Sequence, residues 1–339
     1  MCTAISFKAK EHLFGRNLDL DRSYGEKIAV MPRCFPLDFR KNNRGGTGYA
    51  IIGMSTVVER SDTRSYKEYG GLPLFYDAMN ERGLAAAGLN FPYNAYYVHP
   101  DKVSGNKYCV APFELIPWVL RQCGTVKEAR KLLMMTEIAD IPFSNKTPNT
   151  PLHWMFSDAC GDLVVEQTQG WMNVCDNPVG VLTNNPPFDR QLDNLKRYDH
   201  LKTYNPEGLD TDKIGGCSSY SYGLGALGLP GDVSSASRFV RASFGRKNSA
   251  SDGDELSSVG QIFHLLSSVE VVRGTCKTDE GKEHFTVYSS CMDTARGRYY
   301  YVTYGSRQIT CVDMYKCDLD CQKVSRFDLM NEESIFFQN

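Results

Sequence analysis

The chain lacks long apolar runs, an excess of charge and any cysteine pair at metal-binding spacing. No stretch approaches the roughly 20 consecutive apolar residues that cross a bilayer. The N-terminus also lacks the charged segment and apolar stretch of a secretory signal. These absences lead us to expect a cytoplasmic protein without a membrane partner. Lys and Arg number 38 against 40 Asp and Glu, a formal net charge of −2. The basic residues are scattered rather than striped, so nothing recommends nucleic acid or anionic lipid as a partner. Among the twelve cysteines there is no CxxC; the closest pair is Cys317 and Cys321. No histidine stands near them at zinc spacing, so neither a metal nor another cofactor is expected. In a reducing compartment most of these thiols would be free and buried. The glycine-rich stretch Lys41 to Gly48 lacks a Gly-Lys-Ser/Thr ending and a following helix, so it reads as a hairpin loop rather than a phosphate cradle. No Pro-, Gly- or Ser-rich boundary divides the chain and no repeat shows, which predicts one domain over residues 2–339.

What is present begins at the second residue. A side chain as small as Cys2 favours removal of Met1, which would leave Cys2 at the N-terminus. Such a residue carries a thiol of ordinary pKa about 8.5 and an α-amine of about 8. The amine can take the thiol proton without a separate histidine, the N-terminal form of nucleophile activation. Met-Cys at the start of a chain also occurs by chance, so the rest of the sequence must raise the odds.

Residues 2–18 read as a hairpin turning at Lys10-Glu11, followed by strands at 26–31, 49–58 and 84–90. Tyr76 to Gly83 ends in a turn. Residues 112–123 have a helical apolar face interrupted by Pro117. Thr125 with Glu128 opens a helix through about Met135. Residues 153–158, 163–168, 172–175 and 179–183 form a meander, with turns at Gly161, Gly170 and Asn177-Pro178. Helical spacing resumes over 188–203, and 204–232 reads as a long excursion. Ser234 caps a helix through about Gly245, another helix covers 259–269, and strands close the chain at 285–293, 298–304 and 308–314. Strands adjoin strands through short turns, which favours antiparallel pairing. Two sheets face to face with helices outside would account for the order, an α+β fold.

Five stretches place polar side chains at strand ends or turns: Cys2; Arg16-Asn17-Leu18-Asp19; Gly88-Leu89-Asn90-Phe91-Pro92; Leu182-Thr183-Asn184-Asn185-Pro186; and Ser237-Arg238-Phe239. Together they resemble the choloylglycine hydrolase family, the bile salt hydrolases and penicillin V acylases of the N-terminal nucleophile superfamily. Phe14–Asp19, Asp77–Gly83, Pro148–Trp154, Val164–Thr168, Leu229–Asp232 and Arg273-Gly274 support the match. The resemblance implies a four-layer αββα sandwich of two antiparallel sheets, the Ntn-hydrolase fold. It implies Cys2 as nucleophile, forming a thioester that water hydrolyses. Asp19 would hold the amine, and Arg16 would lower the thiol pKa. Asn90 and Asn184 would donate to the oxyanion through a side-chain amide N–H or, at Asn90, the backbone N–H, and Arg238 would stabilise charge near the reacting centre. Each has a plainer reading as well: Asp19, Asn90 and Asn184 as turn residues, Arg16 as a surface cation, Arg238 as a partner for a nearby carboxylate. Asn185 competes with Asn184, which is chosen on the Leu-Thr-Asn match.

At Asn90 bile salt hydrolases resemble this chain, whereas penicillin V acylases often carry tyrosine, so conjugated bile acids are the expected substrates. Penicillin V or another N-acyl amide, or steroid binding without turnover, remain the alternatives. Phe14, Leu18, Phe91 and the loop from Tyr66 to Tyr76 are candidates for an apolar pocket. Gly223-Leu224-Gly225 resembles a loop linked in the family to the amino-acid moiety, here hinting at glycine conjugates. The family implies a homotetramer, with residues 188–230 as the assembly arm.

Overall fold

A computed structural model describes residues 1–42, 47–58, 66–144, 148–169, 171–206 and 222–339. The middle of the expected glycine-rich loop, the turn at Gly170, Cys217 and the centre of the expected assembly arm lie outside the described residues.

In chain order the strands begin with β1 (Cys2–Lys8), β2 (His12–Leu20), β3 (Lys27–Met31), β4 (Ile51–Val58), β5 (Leu72–Asn80), β6 (Ala85–Asn90) and β7 (Tyr108–Val110). Helices α1 (Leu115–Leu120) and α2 (Val126–Met134) follow. Next come β8 (Thr136–Ile138), β9 (Leu152–Asp158), β10 (Gly161–Thr168), β11 (Trp171–Asp176) and β12 (Val181–Leu182). Helices α3 (Phe188–Leu195), α4 (Ser235–Asn248) and α5 (Glu255–Ser267) precede β13 (Phe285–Asp293), β14 (Arg298–Thr303), β15 (Ser306–Asp313) and β16 (Ser325–Asp328). One sheet has six strands in the order β12-β1-β2-β13-β14-β15. The other has eight, β11-β10-β9-β6-β5-β4-β3-β16, and β7 and β8 form a small parallel pair. All pairings within the two large sheets are antiparallel.

Alternation along the strands explains the layers. In β3, Ile28 and Val30 enter the core between the sheets, whereas Ala29 and Met31 face the second core beneath α1 and α2. Residues 84–89 divide the same way, with Ala85, Ala87 and Leu89 inward and Leu84 and Ala86 outward. On the far side α5 lies over β2 and β13, and α4 over β1 and β12. The arrangement is a mixed α+β sandwich with helices outside two antiparallel sheets, as expected.

The helix ends follow capping chemistry. Thr125 Oγ1 accepts from the Glu128 amide at 3.2 Å, but the Glu128 carboxylate takes the amide of Gly124 at 2.7 Å, so the box closes one residue early. Pro117 is the third residue of α1, where its missing N–H has no intrahelical partner to lose, so the expected interruption does no harm. Asp254 caps α5 through the Ser257 amide and starts that helix before the expected residue 259. The main element missed is β5. Its apolar run holds a single buried aspartate, and only the turn at its end, closed by Gly83 at φ +87°, was legible. The cysteines among the described residues are free, as expected, but only Cys2, Cys123 and Cys291 are buried. Cys160 sits in the turn between β9 and β10 and Cys311 on the edge strand β15, and both are exposed. The described residues hold no helix long and apolar enough to cross a membrane.

Candidate active site

Register sends the groups around Cys2 to different sides. Cys2 pairs with Leu18 and Ala4 with Arg16, so Arg16 shares the face of the Cys2 side chain, between the sheets. Asn17 lies on the opposite face, its Nδ2 donating to the Leu266 carbonyl of α5, and Asp19 shares that face. In the edge strand β12, Leu182 pairs with Ala4; continuing that register brings Asn184 opposite Cys2.

The contacts follow. Arg16 Nη2 donates to Cys2 Sγ at 3.0 Å, with the guanidinium fully buried. Its Nη1 donates to the Tyr76 carbonyl at 2.8 Å and lies 3.7 Å from Asp77 Oδ2. The Tyr76 carbonyl is available because β4 and β5 slip register there: Met54 faces Asp77, Ser55 faces Phe75, and Tyr76 is the extra residue. Gly53 allows the slip, since a Cβ there would fall 2.2 Å from the Asp77 carbonyl oxygen.

Cys2 N donates to Asn184 Oδ1 at 2.9 Å. The same oxygen accepts from Arg238 Nη2 at 2.7 Å, and Asn184 Nδ2 donates to the Asn90 carbonyl at 2.7 Å. Asn184 was expected to donate to an oxyanion; its Nδ2 spends one of its two hydrogens on the Asn90 carbonyl, and among the described residues the other makes no hydrogen bond. This orientation satisfies the amide, because both partners of Oδ1 are donors and the partner of Nδ2 is an acceptor. Asn185 instead donates to the Pro92 carbonyl at 2.6 Å. Among the described residues the Asn90 side-chain amide makes no hydrogen bond, so each of the two asparagines keeps a side-chain N–H to donate. Arg238, also fully buried, donates to the Cys2 carbonyl at 2.5 Å and to Thr3 Oγ1 at 2.6 Å, so it clamps the backbone of the nucleophile.

The Met1 ammonium donates to the Asp19 carbonyl at 2.7 Å. The Asp19 side chain does not touch it. Oδ1 accepts from Thr286 Oγ1 at 2.7 Å, while Oδ2 is buried and accepts nothing among the described residues. Arg16 Nε, Asn185 Oδ1 and Gln191 Oε1 are also buried and, among the described residues, unpaired. A buried polar atom left without a partner is costly, so such a cluster points to a functional site.

Electrostatics are shaped by burial. For Arg16, burial alone would weaken the cation, but Tyr288, Cys2, Asp77 and Tyr299 outweigh it and raise the guanidinium above its ordinary range. Burial pulls Arg238 below its ordinary range, against the opposing pull of Asp19 and Cys2. Burial pushes Asp77 up, opposed by Arg16 and by the hydroxyls of Tyr288, Tyr299 and Ser290. Among the described residues no three His, Cys, Asp or Glu side chains are grouped to hold a metal ion.

Several supporting residues went unassigned in the sequence. His153 donates through Nε2 to the Thr183 carbonyl at 2.9 Å, and its Nδ1 meets Glu166 Oε1 at 2.9 Å. Ser235 Oγ accepts from the Asn184 amide at 2.8 Å, bracing that loop from α4. The only signal of His153, Glu166 and Asp77 in the sequence was that they fall in stretches supporting the family match. The expected pocket lining is corrected in part. Phe91 is fully buried and stacks on His153 at 4.3 Å, and Tyr66 is buried against Phe35 in the outer core. Phe14, on the inward face of β2 with Arg16, is fully buried too, and Leu18 nearly so.

The profile of the choloylglycine hydrolase family, linear amide C–N hydrolases, matches residues 2–327. A bile salt hydrolase/transferase of Lactiplantibacillus plantarum is 44% identical over 339 residues, covering 100% of both chains. The crystal structure of a variant conjugated bile acid hydrolase from Clostridium perfringens superposes with a TM-score of 0.88 at 38% identity, covering 100% of both chains. A penicillin V acylase from Agrobacterium tumefaciens shares the fold, with a TM-score of 0.71 at 23% identity over 97% of this chain and 92% of its own.

Proposed function

The chain belongs to the choloylglycine hydrolase family of linear amide C–N hydrolases, and from that premise and the geometry around Cys2 we propose a bile salt hydrolase. It would cleave the amide of glycine- or taurine-conjugated bile acids through Cys2 and a thioester. The observation that carries this reading is the double engagement of Cys2, with Arg16 Nη2 on its sulfur and Asn184 Oδ1 on its nitrogen.

The acting form is taken as one domain over residues 2–339, with Met1 removed. Its loss turns Cys2 N into a free amine that still donates to Asn184, and Asp19 Oδ2 is available to accept from it. The amine takes the thiol proton, and the sulfur, held by Arg16, attacks the amide carbonyl carbon. Asn90 and the second Nδ2 hydrogen of Asn184 supply N–H donors for the oxyanion, while Asn184 Oδ1 and Arg238 fix the nucleophile. As the C–N bond breaks, the Cys2 ammonium returns its proton to the leaving nitrogen, giving free amino acid or taurine. Water then attacks the thioester with the amine as base, releasing the bile acid.

The relative from L. plantarum is named a hydrolase/transferase. The same thioester would pass its acyl group to an amine in place of water, and excess free amino acid should then yield a new conjugate. Gly223-Leu224-Gly225 supports glycine over taurine. Homotetramer assembly and a cytoplasmic location belong to the same reading. Tyr222 and Leu227, at 97% and 77% exposure, support an arm that meets another subunit. Light scattering after size exclusion tests the tetramer.

The functional test is product formation from glycocholate, taurocholate and phenoxymethylpenicillin. Glycocholate is expected to turn over fastest. Faster turnover of the penicillin would favour the acylase reading, and steroid binding without turnover would leave only a binding protein.

A further inference from the structure

Behind Arg16 lies a fully buried carboxylate hub. Asp77 accepts from Tyr288 Oη at 2.5 Å on Oδ2, and from Tyr299 Oη at 2.6 Å and Ser290 Oγ at 3.3 Å on Oδ1. Asp77, Tyr288, Tyr299 and Ser290 are all fully buried. Tyr288, Ser290 and Tyr299 project from β13 and β14 toward Asp77 on β5, so the cluster ties the two sheets together. Among the described residues Asp77 is the only carboxylate within ion-pair distance of Arg16, at 3.7 Å. The three hydroxyl donors and the guanidinium all favour the charged carboxylate, against the burial that opposes it.

We propose that Asp77 is a positioning residue that holds Arg16 against the Cys2 sulfur and shares its positive charge with that sulfur. While Cys2 is a thiol, Asp77 alone balances the buried guanidinium. When the thiolate forms, one cation serves two anions, so Asp77 limits how strongly Arg16 favours the thiolate. The hub therefore sets both the aim of Arg16 and the pH at which Cys2 ionises. This rests on Cys2 acting as the nucleophile, as proposed above.

Asp77→Asn keeps the shape and removes the charge. Arg16 is then left with the sulfur as its sole anionic partner. The pH midpoint for iodoacetamide alkylation of Cys2, followed by intact mass, is expected to fall by on the order of one unit, tenfold more thiolate at a given acidic pH. Turnover is expected to fall in kcat more than KM rises, because Arg16 loses its anchor. Tyr299→Phe is the milder variant and keeps the volume. With one donor fewer, Asp77 holds a proton more readily, and the midpoint should move the same way by less. A purely structural hub would lower Tm in both variants and leave the alkylation midpoint of the folded protein where it was. That result, or an upward shift, overturns the proposal. Glycocholate hydrolysis by the unaltered chain reports separately on the functional reading: a shifted midpoint without hydrolysis keeps the hub and rejects the substrate.

Discussion

Replacing Arg16 with Met removes a charge whose effect can be worked from one distance. Nη2 stands 3.0 Å from Cys2 Sγ in a fully buried setting. At that separation a pair of unit charges is worth about 5 kcal/mol with an effective dielectric of about 20. Sharing of the guanidinium with Asp77 and the Tyr76 carbonyl reduces the part felt by sulfur. We expect the alkylation midpoint of Cys2 to rise by about 2 pH units, roughly a hundredfold less thiolate near neutrality. The same change leaves Asp77 without its cation, and breaking a buried pair costs about 3 to 5 kcal/mol. The sign with pH follows from the carboxylate. Burial already raises Asp77 above its ordinary value, and losing Arg16 raises it further. A carboxyl raised in the folded state costs stability as pH climbs from its unfolded value of about 3.9 toward the folded one. The Tm deficit of the variant should therefore be smaller near about pH 5 than near about pH 8. Alkylation rates across pH, with Tm at the two values, are the assay. A midpoint that moves by less than about half a unit while Tm falls would make Arg16 a structural cation and refute its role in activating sulfur.

Three further outcomes are expected. Intact mass of the active protein should show one methionine fewer than the sequence, and an uncleavable residue placed before Cys2 should abolish turnover; full activity with that block would exclude the amine as base. Asn90→Ala should lower kcat about a hundredfold with little change in KM, the cost of one oxyanion donor, and a rise in KM alone would make Asn90 a binding residue. His12 is buried and held to about 4 mainly by burial, against an ordinary 6.5. Because the folded state resists the proton, stability falls as pH drops from about 6.5 to about 4, by about 3 kcal/mol in all. His12→Gln should flatten that part of the stability profile in denaturant titrations, and an unchanged slope would place the acid lability elsewhere.

Much of the site was legible because its residues lie at the ends of locally patterned segments. Arg16 and Asp19 were picked out by the family resemblance of the Arg16–Asp19 stretch, and alternation on β2 sends them to opposite faces. How Asn184 sits was not legible, since residue type cannot say which atom of an amide meets which partner: Oδ1 takes the Cys2 N–H and Nδ2 the Asn90 carbonyl. Asp77 was passed over because one acidic residue in an apolar run carries no periodic signal. Its partners Tyr288 and Tyr299 stand 211 and 222 positions away.

The order of residues alone determined the candidate nucleophile, the alternation that buries both faces of the larger sheet, and the caps at Thr125 and Ser234. Each of these depends on neighbours a few positions apart, where backbone geometry dictates which side chains meet. Tertiary structure decided how Cys2 is served: a register slip that frees the Tyr76 carbonyl, a carboxylate hub behind Arg16, and an arginine 236 positions along the chain that grips the Cys2 carbonyl. Those contacts form only when two sheets and a helix close around the same few ångströms, and no local spacing encodes that closure.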